Sequence, residues 1–306
     1  MNDETLPTPE NVIPISTEQS PLIRQGWLRA LLFLIAMVPA VFIWGIANVL
    51  IIRAVGADYQ SDTETLLQPI GIAIQALYLG TTLLVIWAFR RFIDRRSFVS
   101  LGFSFETPVV RHLVYGLFWG VGLMVVVFGL TFALGGFSIT STQFPANKLA
   151  ILFFTLLPAA ALEEVIMRGY LLHSLMQSTN RYIALLFTSM LFALGHGFND
   201  NVTFLALANI VLAGLLLGIY YIHRQNLWFP IALHFAWNYM QSPILGSPVS
   251  GAVTPSILTL DFTGSNLITG GKFGFEGSLV TTVVTIVAIL VVHFTYRTKK
   301  EQSATS

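Results

Sequence analysis

An all-α, polytopic membrane helix bundle is the fold class this sequence predicts, and three observations predict it. Of its 306 residues, 55% are hydrophobic and only 10% are charged, whereas a soluble domain carries about 25% charged residues. Apolar runs of spanning length, near 20 residues for a helix crossing a ~30 Å hydrocarbon core, recur along the chain, and eight of them can be placed. The loops between them leave no room for a soluble domain.

Residues 1 to 25 open with "MNDETLPTPENVIPISTEQSP", which is polar, contains proline and lacks a basic start. They predict a disordered tail and not a cleaved signal peptide. The apolar runs then fall at 27 to 52, 66 to 88, 112 to 136, 148 to 172, 182 to 198, 203 to 222, 227 to 241 and 278 to 296. Within the third, Gly116 and Gly120 have GxxxG spacing, as do Gly214 and Gly218 in the sixth, a pattern that favours close helix packing. The fifth and seventh are short and carry polar residues, so hydropathy supports them least. A transmembrane domain of 26 to 297 follows, with a polar-residue-bearing core of 148 to 241 and a second tail at 298 to 306.

Lysine and arginine placement sets the expected orientation. With the N-terminus in the cytoplasm, the inside segments hold Arg24, Arg29, Arg90, Arg91, Arg95, Arg96, Arg111, Arg168, Arg181, Arg224, Arg297, Lys299 and Lys300. Only Arg53, Lys148 and Lys272 fall outside. Thirteen against three predicts a multi-pass plasma-membrane protein with both termini cytoplasmic. The segment "RRFIDRRSFVSLGFSF" is expected to lie on the membrane surface as a short amphipathic piece. The net charge of +1 and the scattered basic residues exclude a nucleic-acid partner. No cysteine is present, so chemistry must come from carboxylates, histidines, amides and hydroxyls.

The fourth run contains "ALEEVIMRG", with Glu163, Glu164 and Arg168 inside hydrocarbon, where each ionisable group costs several kcal/mol and marks a functional site by default. Glu164 and Arg168 are i, i+4 with the acid first, the favourable order for an ion pair. Glu163 lies about 100° around the helix and is left without that partner, as suits a group that takes and gives protons. A structural charge knot is the competing reading. Two further short runs carry "SMLFALGHGFN", with His196 four residues after Phe192, and "NLWFPIALHFAWNYM", with His234 and Asn238 at i, i+4. Both can line one cavity. Asn209 is a supporting candidate, whereas His112, His173, His223 and His293 fall at helix ends and are expected to be interfacial.

A glutamate, two histidines and an asparagine suit peptide hydrolysis, which needs a base for water, donors for the oxyanion and an acid for the leaving amine. No G-x-S-x-G elbow or H-E-x-x-H zinc helix is present, and every aspartate lies outside the eight runs.

The patterns "EEVIMRG", "FALGH" and "LWFPIALHFAWN" resemble the three ordered motifs of the CPBP family, the CAAX prenyl proteases and bacteriocin-processing Abi proteins. They cover Glu163 to Asn238, and "RRSFVSLGF" resembles a further stretch common there. The resemblance implies an intramembrane endopeptidase with a conical cavity open to the cytoplasm and the membrane. Glu163 would be the catalytic carboxylate, His196 its partner in activating water, and His234 with Asn238 the oxyanion hole, with Glu164 and Arg168 in support. A zinc held by Glu163, His196 and His234 is the alternative to direct activation of water. The substrate would be a peptide or membrane-associated protein, with prenylated C-a-a-X proteins the best-defined class. A non-catalytic scaffold or bacteriocin self-immunity protein of the same fold is the competing function. A transporter is disfavoured because no internal repeat is present.

Overall fold

The protein was analysed as a computed structural model that describes residues 20–54, 69–103, 105 and 108–297. Most of the expected N-terminal tail and all of the C-terminal one lie outside these residues. Helices occupy each of the eight predicted places: α1 Gly26–Ala54, α2 Pro69–Asp94, α3 Val109–Ala133, α4 Ala146–Leu175, α5 Arg181–Gly195, α6 Phe204–Arg224, α7 Trp228–Tyr239 and α8 Leu279–Tyr296. Among the described residues, α1, α2, α3, α4, α6 and α8 are long and apolar enough to cross a membrane. This is an integral, multi-pass membrane protein. The fifth and seventh helices, α5 and α7, are shorter, and the eight expected spans are therefore six long ones and two short partners.

Local chemistry sets the helix starts. The side chains of Asn180, Thr203 and Ser278 accept backbone N–H groups at the first turns of α5, α6 and α8, satisfying donors that a helix N-terminus leaves without partners. Three π-helical stretches interrupt the regularity: Phe89–Asp94 closes α2, Val165–Leu172 follows the paired glutamates in α4, and Met240–Ile244 follows α7. Such insertions often accompany functional sites.

Up-and-down connectivity gives the bundle two unlike ends. One, the basic end, gathers the start of α1, the end of α2, the α4–α5 and α6–α7 turns and the end of α8, with Arg91, Arg95, Arg96, Arg181, Arg224 and Arg297. At the opposite end lie 196–203, 240–278 and a departure from all-α architecture, an antiparallel ribbon of β1 Phe137–Thr142 and β2 Leu258–Phe262.

The segment expected to lie on the membrane surface is tied into the basic end. Asp94 is fully buried and pairs with Arg29 at 2.6 Å and Arg90 at 2.9 Å. Arg29 also donates to Gln177, and Arg90 to Ser100. Tyr221 donates to the Leu101 carbonyl at 2.8 Å, and the Leu227 N–H donates to that of Gly102 at 3.0 Å. Thus one aspartate does close a membrane-length helix: α2 runs six residues beyond the predicted 88, because Arg29 from α1 compensates the charge at its end.

The glycine pairs behave as their spacing predicts. A Cβ on Gly116 would lie 2.4 Å from the Phe229 carbonyl oxygen, and one on Gly120 would lie 2.5 Å from that of Leu233. Helices α3 and α7 therefore touch backbone to backbone. Because Leu233 precedes His234, this contact fixes the depth and rotation of a site residue.

Candidate active site

Three helices bring the motif residues together. Glu163 and Glu164 sit on α4, His196 caps the C-terminus of α5, and His234 and Asn238 lie one turn apart on α7. Glu163, His196, His234 and Asn238 all line one cavity of about 820 Å³. On α4 the lining residues are Leu156, Ala159 and Glu163, spaced as one helix face demands.

Glu164 faces away from that cavity and organises it. Its Oε1 accepts from Arg168 Nη1 at 2.8 Å and lies 2.9 Å from His234 Nδ1. The expected i, i+4 pair is present, and both members are buried. Arg168 also donates to the Gly214 carbonyl at 3.0 Å and lies 4.7 Å from the centre of the Phe192 ring. Because the Glu164 carboxylate accepts only, His234 donates from Nδ1 and turns Nε2 towards Glu163, whose Oε2 is 3.8 Å away. That separation exceeds a hydrogen bond, and Oε2 makes none among the described residues. Glu163 is thus the carboxylate left uncommitted, with its side chain 38% exposed.

His196 is oriented differently. Its Nδ1 lies 2.8 Å from the Phe192 carbonyl oxygen, an acceptor, so this nitrogen carries the proton and Nε2 offers a lone pair. Phe192 therefore places two groups, holding His196 with its backbone and covering Arg168 with its ring. The aromatic spacing F-x-x-x-H has this i, i+4 carbonyl as its physical basis.

Asn209 does not reach this cluster. Its amide donates to the carbonyls of Glu276 at 2.7 Å and Ser278 at 2.8 Å, while Thr282 donates to its Oδ1 at 2.7 Å. Its support is indirect: it pins the loop that leads into α8. That loop brings Glu276 into the cavity wall, a residue that sequence reasoning missed. Glu276 Oε2 accepts from the Ser250 N–H at 2.6 Å and hydroxyl at 2.9 Å, and Asn199 donates to the Ser250 carbonyl at 3.0 Å. Burial lifts the Glu276 carboxyl above its ordinary range, against the pull of the Ser250 bonds. In "GGKFGFEGS" nothing separates this acid from an ordinary loop charge.

The four remaining histidines lie at the basic end. His112 contacts Tyr220, His173 contacts Tyr221, and His223 contacts His293.

A zinc site asks for three or four ligands at about 2.0–2.2 Å. Glu163, His196 and His234 share the cavity, but no group of three or more His, Asp or Glu side chains placed to hold one ion is found among the described residues.

Residues 145–240 match the family model described as Type II CAAX prenyl endopeptidase Rce1-like. The matched segment runs from the start of α4 to just beyond α7 and contains the whole cluster around Glu163, while α1 to α3 and α8 lie outside it. No curated protein and no solved structure matches the chain.

Proposed function

With an Rce1-like CAAX prenyl endopeptidase domain in residues 145–240, a domain of a membrane peptidase family, we propose that this protein is an intramembrane endopeptidase working by direct activation of water. The observation that carries this reading is the division of labour between adjacent glutamates. Glu164 is consumed by Arg168 and His234, and Glu163 faces the cavity uncommitted.

Glu163 takes a proton from water as the oxygen attacks the scissile carbonyl carbon, with His196 Nε2 accepting a hydrogen bond from the same water. A C–O bond forms and the carbonyl π electrons move to oxygen. Asn238 donates to this oxyanion from its amide, and His234 donates from Nε2. For His234 to do so, both ring nitrogens carry protons, and the carboxylates on either side of the ring balance that charge. Glu163 then returns the proton to the amide nitrogen as the C–N bond breaks, giving a free acid and a free amine. No step passes through a metal.

Thirteen basic residues against three place both termini in the cytoplasm on this reading. The shorter α5 and α7 complete eight crossings around the cavity. The substrate is a peptide or a membrane-associated protein.

The test is a comparison of membrane peptides from cells making the native chain with those from cells making Glu163→Ala, joined to turnover and elemental analysis of purified protein. Peptide ends that vanish in the variant, with turnover independent of stoichiometric metal, are the expected result. Activity that tracks one zinc per chain would instead make Glu163 a ligand and overturn the proposed roles.

A further inference from the structure

The basic end and the mouth of the cavity lie on opposite sides of the bundle. Helix α5 runs from Arg181 at the basic end to Gly195, and α6 returns from Phe204 to Arg224. The segments that line the cavity between helices are 195–200, 249–253 and Glu276, and all belong to the opposite end. Its rim carries Phe198 and Val253, 96% and 66% exposed. Towards the basic end the cavity is closed. Leu216, Leu217 and Leu233 are buried at its base, and below them Tyr220 stacks on Phe229 with ring centres 3.8 Å apart.

The side wall opens in the same direction. The N-terminal half of α4 packs on α2 and α7, and α5 packs instead on the π-helical stretch beyond Glu163. From Glu163 towards the opposite end, α4 and α5 therefore splay, with Leu156 and Ala159 facing Phe192 and Gly195 across the cavity.

Charge now decides which side this mouth faces. Arg168 belongs to the buried site, so among the described residues ten arginines remain at the basic end, against Arg53, Lys148 and Lys272 at the other. Positive-inside placement of that end and a cytoplasmic mouth cannot both hold. We infer that the cavity opens on the extracytoplasmic side, the reverse of the cytoplasmic opening that the family resemblance implies, and that its substrates are membrane-anchored polypeptides cleaved from that side. Glu163 lies twelve residues from Leu175 at the basic end, or about 18 Å at helical rise, so it sits near mid-membrane. A scissile bond must reach that depth. An extended segment held beside the outer leaflet by a helix or lipid anchor can enter between α4 and α5, whereas a prenylated tail presented from the cytoplasm meets the closed base.

The substrate half of this inference rests on the peptidase reading, and the sidedness half does not. The natural absence of cysteine makes both testable on the full chain. Phe198→Cys, Val253→Cys and Ser97→Cys are each placed in the otherwise native protein and treated in intact cells with a membrane-impermeant maleimide, with detergent-solubilised protein as the control for thiol reactivity. Labelling of 198 and 253 in intact cells, and of 97 only after permeabilisation, is expected. The reverse pattern would overturn the inference. In parallel, two single-span reporters carry the same randomised linker beside the membrane, one outside and one inside. The outer one is cleaved, and Glu163→Gln abolishes the cleavage. Cleavage of the inner reporter alone would overturn the substrate assignment. Cleavage of neither would overturn the peptidase reading with it, while the labelling decides the side independently.

Discussion

Glu164→Gln separates two consequences of one carboxylate. In the native protein Glu164 Oε1 is 2.8 Å from Arg168 Nη1 and 2.9 Å from His234 Nδ1, and all three residues are buried. The amide keeps an acceptor but removes the charge. Arg168 then keeps neutral acceptors, including the Gly214 carbonyl, and the Phe192 face, but no counter-charge. Breaking a buried pair from one side costs about 3–5 kcal/mol, because the remaining charge stays desolvated. Glu163→Gln removes a charge that is partly exposed and makes no hydrogen bond through Oε2, so its stability cost should be small. Equilibrium unfolding in mixed micelles should therefore rank Glu164→Gln far below native and Glu163→Gln close to it. Adding Arg168→Met to Glu164→Gln should recover much of the lost stability, since no unpaired cation remains. Peptidase activity should not recover, because His234 has lost the carboxylate that holds its Nδ1–H and its orientation. Equal stability losses for the two glutamine variants, or no coupling between Glu164 and His234 in a double-mutant cycle, would refute this account of the site.

Three other outcomes follow from the same geometry. Asn238→Ala should lower kcat by about 10²–10³, the value of one oxyanion donor, with KM nearly unchanged in steady-state kinetics on a peptide substrate. Gly120→Ala, whose methyl would meet the Leu233 carbonyl at 2.5 Å, should cost about 1–3 kcal/mol through overpacking and reduce activity by shifting His234; Gly122→Ala, with open space around it, should be harmless in both assays. Glu276 has a raised carboxyl pKa in the folded protein, so the stabilising effect of its neutral form is present at acid pH and is lost as pH rises through the folded pKa; melting temperatures of native protein and Glu276→Gln across a pH series should diverge on the alkaline side, with the variant the more stable there.

Much of this site was legible one residue at a time. The pair Glu164 and Arg168 needed only helical spacing, as did His234 with Asn238, and the GxxxG pairs announced close helix packing without naming the partners, α7 for Gly116 and Gly120 and α5 for Gly214 and Gly218. What escaped was long-range. The bond between Glu164 and His234 joins residues 70 apart in sequence, so Glu164 looked merely neutralised when it also orients an imidazole. Asp94 looked like a loop acid until Arg29, 65 residues away, was found beside it. Glu276 entered the cavity because Asn209 holds its backbone from α6.

By itself, then, the sequence determined the solvent, the placement of the long apolar helices, the identity of the motif residues and the basic asymmetry between the loops. Hydropathy, helical period and charge are local properties, summed over windows no longer than one helix. Only the tertiary structure decided that Glu164 also holds His234, that Glu276 joins the cavity wall, and at which end of the bundle the cavity opens. Those outcomes depend on how the helices pack, and packing is set by contacts between segments that no local window contains.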